Sequence, residues 1–500
     1  MNSNPQVRHN IIANFAGKAI AAFFSLAFVP FYIKLMGVEV YGLIGIFMSL
    51  SAILSLLDLG LSTTLSRELS RLNSQNENLA QSRNLVRTFE IVYWAGGLFI
   101  GLIVYILAPI ISHYWLSTSH IDVRLIEKAI MIMGLSIALQ WPGSIYTGGL
   151  MGLQRQIGVN VIKSVMTMIQ HGGAVLLLIY ISPSILLFFV WQSVAGFTAT
   201  IALGVWLWKC LPPSDVSPSF DVQLLIKNRR FASGMTGIAI VTVLLTQADK
   251  VILGRMLSLE SFGNYVLAFN VANALQNLVT PIFSAVYPKF TQLVAEGDEK
   301  RLSDFYHLSC QFLSVVVLPV AICIAAFSRE ILEVWLGYTT VVEKVAPVLT
   351  LLVLGTALNA LMTLPYGMQL AYGNTRLALI TNLIAISIVI PLMIVLIHFY
   401  EGVGAAWAWI ILNVGYLIFS IPIMHKKIIK SEMVSWYSLD VLTPLVCTLF
   451  VTLACRTIMP ADASTFIVIS IVVLNLSFSF AIATFFSKHL RQKILPVKGK

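Results

Sequence analysis

Residues 377–399 read LALITNLIAISIVIPLMIVLIHF, without one Asp, Glu, Lys or Arg. A bilayer core asks for ~20 predominantly apolar residues in a helix, and this stretch meets that length. Runs of the same kind recur along the whole chain, so the segment is the rule and not an exception. Hydrophobic residues make up 58% of the 500 and charged residues 11%, against the ~25% charged of ordinary soluble domains. So few charges cannot cover the surface of a soluble protein this size. A cytosolic enzyme is excluded, and so is a disordered chain. A spanning segment must be a helix or a strand of a closed barrel, because lipid offers the backbone no hydrogen bonds. Barrel strands alternate apolar and polar; these runs do not. The fold class is therefore all-α, a polytopic membrane protein. Spans are expected near 11–33, 43–65, 88–111, 129–150, 158–181, 185–208, 232–254, 263–287, 306–327, 345–370, 377–399, 403–424, 440–459 and 465–486, fourteen transmembrane helices in all.

With fourteen spans placed, the formal charge of +10 sorts by side of the membrane. If the N-terminus is cytoplasmic, 22 Lys and Arg fall on the cytoplasmic side and seven on the other. That bias is the positive-inside pattern, and it puts both termini in the cytoplasm of a multi-pass inner-membrane protein. It also removes the reason to expect nucleic acid as a partner. The first ten residues lead into a run with no small-residue cleavage site, so the run reads as a retained first span. Five cysteines without a CxxC pair and eight scattered histidines indicate neither disulfides nor a metal site. No GxxxxGK[ST] is present, so the chain is not expected to use ATP, and no cofactor is implied. No connection is long enough for a catalytic domain, which argues against an enzyme. The segment 209–231, KCLPPSDVSPSFDVQLLIKNRRF, has the composition of a cytoplasmic linker. The expected division is an N-terminal lobe 1–208, that linker, a C-terminal lobe 232–424, and spans 13 and 14 with a basic tail over 425–500.

A shift of 221 residues lays KLMGVEVYG (34–42) on RMLSLESFG (255–263). Lys34 falls on Arg255, Glu39 on Glu260, Tyr41 on Phe262 and Gly42 on Gly263, while Arg8 falls on Arg229. Each copy reads as a tight outer turn with an acid near the start of the next helix, where the helix dipole favours it. Six spans separate the copies, so both enter the membrane in the same direction. That is a parallel repeat about the membrane normal, two six-helix lobes plus two C-terminal helices, as in rocking two-lobe transporters.

The segment DKVILGRMLSLESFG (249–263), the prolines of TPIFSAVYPKFTQL (280–293), DLGL (58–61) and YTGGLMGLQRQ (146–156) resemble the bacterial polysaccharide and O-antigen flippases. These form the polysaccharide transporter branch of the multidrug/oligosaccharidyl-lipid/polysaccharide superfamily. The resemblance implies a two-lobe exporter that flips an undecaprenyl-diphosphate-linked oligosaccharide across the inner membrane by alternating access. It implies a cationic cavity for the diphosphate and sugar, and as partners the lipid-linked substrate, membrane lipids, a polysaccharide polymerase and a chain-length regulator. Two rivals stand beside it: a cation-coupled multidrug exporter of the same superfamily, and a membrane-embedded polysaccharide polymerase or ligase. A lysine-bearing cavity opposes cationic drugs, and the short outer connections oppose the enzyme.

Ionisable side chains inside a span cost ~2.5–3.5 kcal/mol on insertion scales, so each calls for a reason. Lys18 in span 1 and Asp58 in span 2 sit at similar depth from the cytoplasmic side and could meet across antiparallel helices. They are either a cavity pair for phosphate and a coupling proton, or a neutralising pair that fixes packing. Asp249 is a second ion-coupling candidate, while its neighbour Lys250 is expected to snorkel to the interface. Lys163, near the cytoplasmic end of span 5, is a cavity candidate that could also snorkel. His171, near mid-membrane, is a proton site or a hydrogen-bonded structural histidine. Arg8, Arg229 and Arg230, just before spans 1 and 7, suit a lipid diphosphate entering from the cytoplasmic leaflet, or are ordinary anchors. Trp191, Trp206, Trp208, Trp407 and Trp409 read more safely as interfacial belts than as sugar platforms, and the GxxxG pairs Gly97/Gly101 and Gly148/Gly152 as close helix packing.

Overall fold

Helices carry almost all of the chain because its apolar runs can satisfy their backbone groups only internally. The computed structural model describes residues 17, 20, 23–58, 60–75, 79–118, 121–213, 217–226, 243, 246–337, 340–460 and 462–494. Among these there is no strand beyond one isolated bridge between Ser117 and Ser258. Nine described helices are long and apolar enough to cross a membrane, and Phe23–Met36 and Val38–Leu54 are shorter apolar helices. The longest, Arg376–Lys427 at 52 residues, is two helices joined across a kink at Glu401, whose φ is 51°. That kink falls between expected spans 11 and 12. Expected span 7 lies largely outside the described residues, as does the start of span 1.

The chain divides into two compact units, Met1–Gly263 and Asn264–Lys500. In the first, α1 (Phe23–Met36) is followed by α2 (Val38–Leu54). Expected span 2 is discontinuous. The α-helix stops at Leu54, a 3-10 turn runs over Ser55–Asp58, and α3 begins at Leu61. Gly60, at φ +69°, takes the left-handed conformation that a side chain would resist. Four longer helices follow: α4 (Leu79–Ile110), α5 (Val123–Gln140), α7 (Gln156–Tyr180) and α8 (Ile185–Cys210), with the short α6 (Gly143–Gly152) between α5 and α7. Expected span 4 is broken too, because Pro142 has no N–H to continue α5 and opens α6 instead. Leu65, Leu69, Phe89, Tyr146, Leu150 and Leu207 form the centre of this unit's core.

The linker is tied down on the first unit. The amides of Ser219 and Asp221 donate to Asn84 Oδ1 and Thr88 Oγ1, both at 2.9 Å, and Leu211 and Leu224 join the core. Residues 246–263 also belong to this unit, and the Leu259 amide donates to the Ser117 carbonyl at 2.9 Å.

The repeat is visible in the elements themselves. Adding 221 to α2, α4, α5 and α6 gives 259–275, 300–331, 344–361 and 364–373. The second copy has helices at Leu259–Asn273, Glu299–Ala326, Thr340–Leu361 and Thr363–Ala371. The two turns picked out in the sequence also touch. A Cβ on Gly42 would stand 2.5 Å from the Leu259 carbonyl oxygen, and one on Gly263 would stand 2.2 Å from that of Val38. Since 38 and 259 are themselves 221 apart, the contact is reciprocal, and both glycines are set by close approach of backbone.

Candidate functional site

The site is built around the broken helix. In the first unit α3, α5, α6, α7 and α8 enclose a cavity of about 730 Å³, within the ~300–1,000 Å³ of small-molecule sites. Irregular backbone at membrane depth is tolerated where it is buried in protein or lines such a space. Close packing positions the walls. Gly148 and Gly152, one turn apart on α6, lie against the backbones of Ser62 and Ser66, one turn apart on α3, where added Cβ atoms would fall 2.5 and 2.3 Å from carbonyl oxygens. Gly97 and Gly101 of α4 meet the backbones of Ala138 and Gly134 in the same way. Packing therefore accounts for both GxxxG pairs.

The wall mixes apolar side chains (Met151, Met166, Ala199 and Leu203) with neutral polar ones and is almost uncharged. Ser62, Thr63 and Ser66 come from the first turns of α3, Ser144 and Thr147 from α6, and Gln140, Gln170 and Thr200 from α5, α7 and α8. Lys163 is the one charged residue of the wall, and its side chain is exposed there. Among the described residues it has no hydrogen-bond or ion-pair partner. Lys163 and Gln170 are seven residues apart on α7, so the cavity follows that helix for roughly 10 Å at 1.5 Å per residue.

Asp58 sits behind this wall and organises it. The Ser62 hydroxyl donates to its Oδ2 at 2.8 Å, and the Ser144 hydroxyl to its Oδ1 at 3.3 Å. The hydroxyl of Tyr93, which is fully buried, donates to Oδ1 as well. Tyr93 is held by stacking on Trp141, with ring centroids 4.7 Å apart. Asp58 also precedes the first turn of α3, where an acid offsets the helix dipole. A second buried carboxyl, Glu90, accepts from Tyr146 at 2.7 Å, Arg87 at 2.9 Å and Trp208 at 3.2 Å. It ties α4 to α6 and α8 and faces no cavity.

The other expected site residues are spread out. Lys18, Arg8, Arg229 and Arg230 lie outside the described residues, so the Lys18–Asp58 pair does too. Asp249 and Lys250 are together, and here the reading of Lys250 is corrected. It does not snorkel: it is buried, 3.1 Å from Asp249 Oδ1, and donates to the Thr246 carbonyl at 3.0 Å. A buried acid one residue away neutralises it without an extended side chain. His171 is a hydrogen-bonded histidine, with Nδ1 3.1 Å from the Tyr32 hydroxyl and its ring stacked on Phe28. Trp191, Trp208 and Trp409 are half-buried and donate their indole N–H to Gln170 O, Glu90 and Thr356. The residues that sequence reasoning missed are neutral: Ser62, Ser144, Tyr93 and Gln140. Ser62 and Ser144 stand beside DLGL and YTGG, and Tyr93 and Gln140 carried no signal.

A two-unit helical membrane protein with a polar cavity inside one unit is a transport protein in class. The family model described as "Polysaccharide biosynthesis protein" matches residues 7–294, and the MatE model matches residues 236–395. The chain belongs to the polysaccharide biosynthesis protein family. It is 21% identical over 404 residues to the Shigella flexneri "Putative O-antigen transporter", covering 80% of this chain and 93% of that protein. It is 22% identical over 214 residues to the "Lipopolysaccharide biosynthesis protein WzxC" of Escherichia coli K12, 43% of each chain. Among solved structures, "Lipid II flippase MurJ, inward closed conformation" matches at TM-score 0.65 and 14% identity over 97% of this chain and 98% of that one. An inward-facing multidrug resistance MATE family transporter matches at 0.66 and 12% over 83% and 98%. These likenesses establish the fold of the superfamily.

Proposed function

We propose that this protein translocates an undecaprenyl-diphosphate-linked oligosaccharide, an O-antigen unit or similar, across the bacterial inner membrane by alternating access. It is a transporter and not an enzyme. The observation that carries the reading is a lysine with no partner among the described residues, in a cavity wall of neutral polar and apolar side chains, in a chain of the polysaccharide biosynthesis family. Lys163 binds a phosphate of the lipid, and the wall beyond it takes the sugar. Lys18, Arg8, Arg229 and Arg230 serve as cations on the cytoplasmic approach, with both termini on that side. Of the three coupling candidates, Asp58 is favoured because it stands directly behind the cavity wall. Asp249 is matched by Lys250 and His171 by Tyr32. A polysaccharide polymerase and a chain-length regulator would act on the product at the outer face.

Deleting the gene and analysing polyprenyl lipids tests this. Single lipid-linked units should accumulate facing the cytoplasm, and accumulation on the outer face would point to the polymerase reading instead. In complementation, Lys163→Ala should abolish surface polysaccharide while Lys163→Arg retains part of it. Full export by Lys163→Ala would remove the phosphate role. The MatE match over 236–395 favours one second reading, cation-coupled drug export. Under that reading cells lacking the gene become sensitive to cationic dyes and their lipid pool does not change.

A further inference from the structure

The cavity wall has a sense of hydrogen bonding that its residue list alone does not reveal. Side-chain protons around it point away from the space. Ser62 donates to Asp58 at 2.8 Å, and Ser144 donates to Asp58 at 3.3 Å and to Trp141 O at 3.0 Å. Thr63, Thr147 and Thr200 each donate back to a carbonyl of their own segment, Gly60, Gly143 and Gly196, at 2.8, 2.8 and 3.0 Å. The two amides are committed in the same direction. Gln140 Nε2 donates to Ser136 Oγ at 2.6 Å and Gln192 O at 3.3 Å, and Gln170 Nε2 donates to Gln192 Oε1. A hydroxyl whose proton is spent keeps its lone pairs, and an amide whose N–H is spent keeps its carbonyl oxygen. These side chains therefore meet the cavity as acceptors. Asp58 behind Ser62 and Ser144 adds an acidic group of the same sense. The donors left on the wall are Lys163, the second amide proton of Gln170 and the rotatable hydroxyls of Ser66 and Thr167.

We infer that this wall selects a sugar moiety that is a hydrogen-bond donor and carries no acid of its own: hydroxyls and N-acetyl amides, not uronic or other acidic sugars. The inference rests on the flippase reading above and deepens it by naming the substrate class. Lys163 serves the diphosphate, so a second anion deeper along α7 would meet mostly lone pairs, with Asp58 behind them, against the few donors of Thr167 and Gln170. A neutral sugar offers a proton at nearly every hydroxyl, and each can be accepted. Sites built for one hydrogen-bond sense discriminate strongly, because the mismatched partner leaves polar groups unpaired.

The full chain reconstituted in vesicles of phosphatidylethanolamine and phosphatidylglycerol can be given three fluorescent short-chain polyprenyl diphosphates. One carries a neutral N-acetylhexosamine disaccharide, one carries the same disaccharide with a hexuronic acid in place of a hexose, and one carries no sugar. Transfer is read by dithionite quenching. The neutral probe should move at least about tenfold faster than the acidic one, the scale expected of like-charge mismatch. Gln170→Lys, which keeps a donor toward Gln192 and adds one to the wall, should narrow that ratio. Equal or faster movement of the acidic probe by the wild type overturns the inference and leaves the flippase reading standing. Equal movement of the sugar-free probe overturns any sugar reading by this wall. If none of the three lipids moves, the flippase reading falls and the inference with it. The wild-type comparison stands whether or not Gln170→Lys folds.

Discussion

Replacing Asp58 should separate its structural role from its transport role. In Asp58→Ala three hydroxyls lose an acceptor, but the losses differ. Ser144 already donates to the Trp141 carbonyl at 3.0 Å, and Ser62 can turn to its own helix as Thr63 and Thr64 do with Gly60 O. Tyr93 is the least free to turn: its ring is stacked on Trp141, the residue is 0% exposed, and beside Asp58 its hydroxyl reaches, among the described residues, only the Ser144 side chain and the Ser62 backbone. An orphaned buried hydroxyl costs ~1–3 kcal/mol, and losing the acid ahead of α3 adds ~0.3–1 kcal/mol. Tyr93→Phe alone should cost ~1 kcal/mol, the net worth of one hydrogen bond. The double substitution leaves no orphan, so its cost should fall short of the sum of the singles by ~1 kcal/mol or more. Thermal midpoints of the four proteins in one detergent measure this, and additive shifts would refute the claim that Tyr93 is the hydroxyl stranded. Asp58→Asn keeps an oxygen acceptor and should retain most of the stability. If Asp58 holds a coupling proton, the Asn variant fails to restore surface polysaccharide at normal protein levels. Full restoration would leave Asp58 with the anchoring role alone.

Lys250→Ala should cost ~1–3 kcal/mol by removing the cation beside the half-buried Asp249 carboxyl, whereas Asp249→Asn with Lys250→Gln should recover most of it; equal midpoints for the two variants would count against the pairing. Gly42→Ala and Gly263→Ala should each cost ~1–3 kcal/mol as overpacking against a carbonyl oxygen, and to a similar extent because the contact is reciprocal. Normal midpoints in both would mean the two turns do not touch. At the junction of Ser303, His307, Glu432 and His489, burial pushes Glu432 up, but the Ser303 hydroxyl and His307 together hold it below its ordinary value. Burial, with help from His307, holds His489 below its own. Both signs agree: the Glu432 contribution is present above its ordinary pKa and fades as pH falls through the depressed value, and His489 costs stability once pH drops below ~6.5. Relative to wild type, His489→Gln should therefore become more stable as pH falls from 7.5 to 5.5, read as a difference in thermal midpoint that changes with pH. A difference that stays constant with pH would refute this role of His489.

The fold was legible because apolar length is a strong signal and the repeat preserves turn chemistry. Lys34, Glu39 and Gly42 recur as Arg255, Glu260 and Gly263 in elements whose bounds follow the same shift within a few residues. The charged candidates were legible as types but not as contacts. Lys163 and Asp58 do stand at the cavity, one in its wall and one behind it, yet nothing in the sequence said that Asp58 would be met by Tyr93 and two serines from three different segments. Neutral hydroxyls carry no periodic or charge signal, and a serine on a membrane helix reads the same whether it faces lipid, a neighbour or a cavity. Lys250 was misread for a related reason. Snorkelling is what a lone lysine does, whereas a four-carbon stem can also fold back on the acid next to it in sequence.

The repeat bears on where recognition can reside. Carried through at 221 residues, Asp58 falls on Val279, Ser62 on Phe283, Gln140 on Leu361, Ser144 on Pro365, Lys163 on Ile384 and Gln170 on Pro391. Each of these six groups is replaced by an apolar one, although Thr63 and Ser66 of the same wall fall on Ser284 and Tyr287, and the helices themselves are kept. The lysine, the acid and the two amides thus have no counterpart at the equivalent positions of the second copy. Flipping a lipid diphosphate, as proposed, needs one binding place for that group, and the copy that carries Lys163, Gln140 and Gln170 is the one that can supply it.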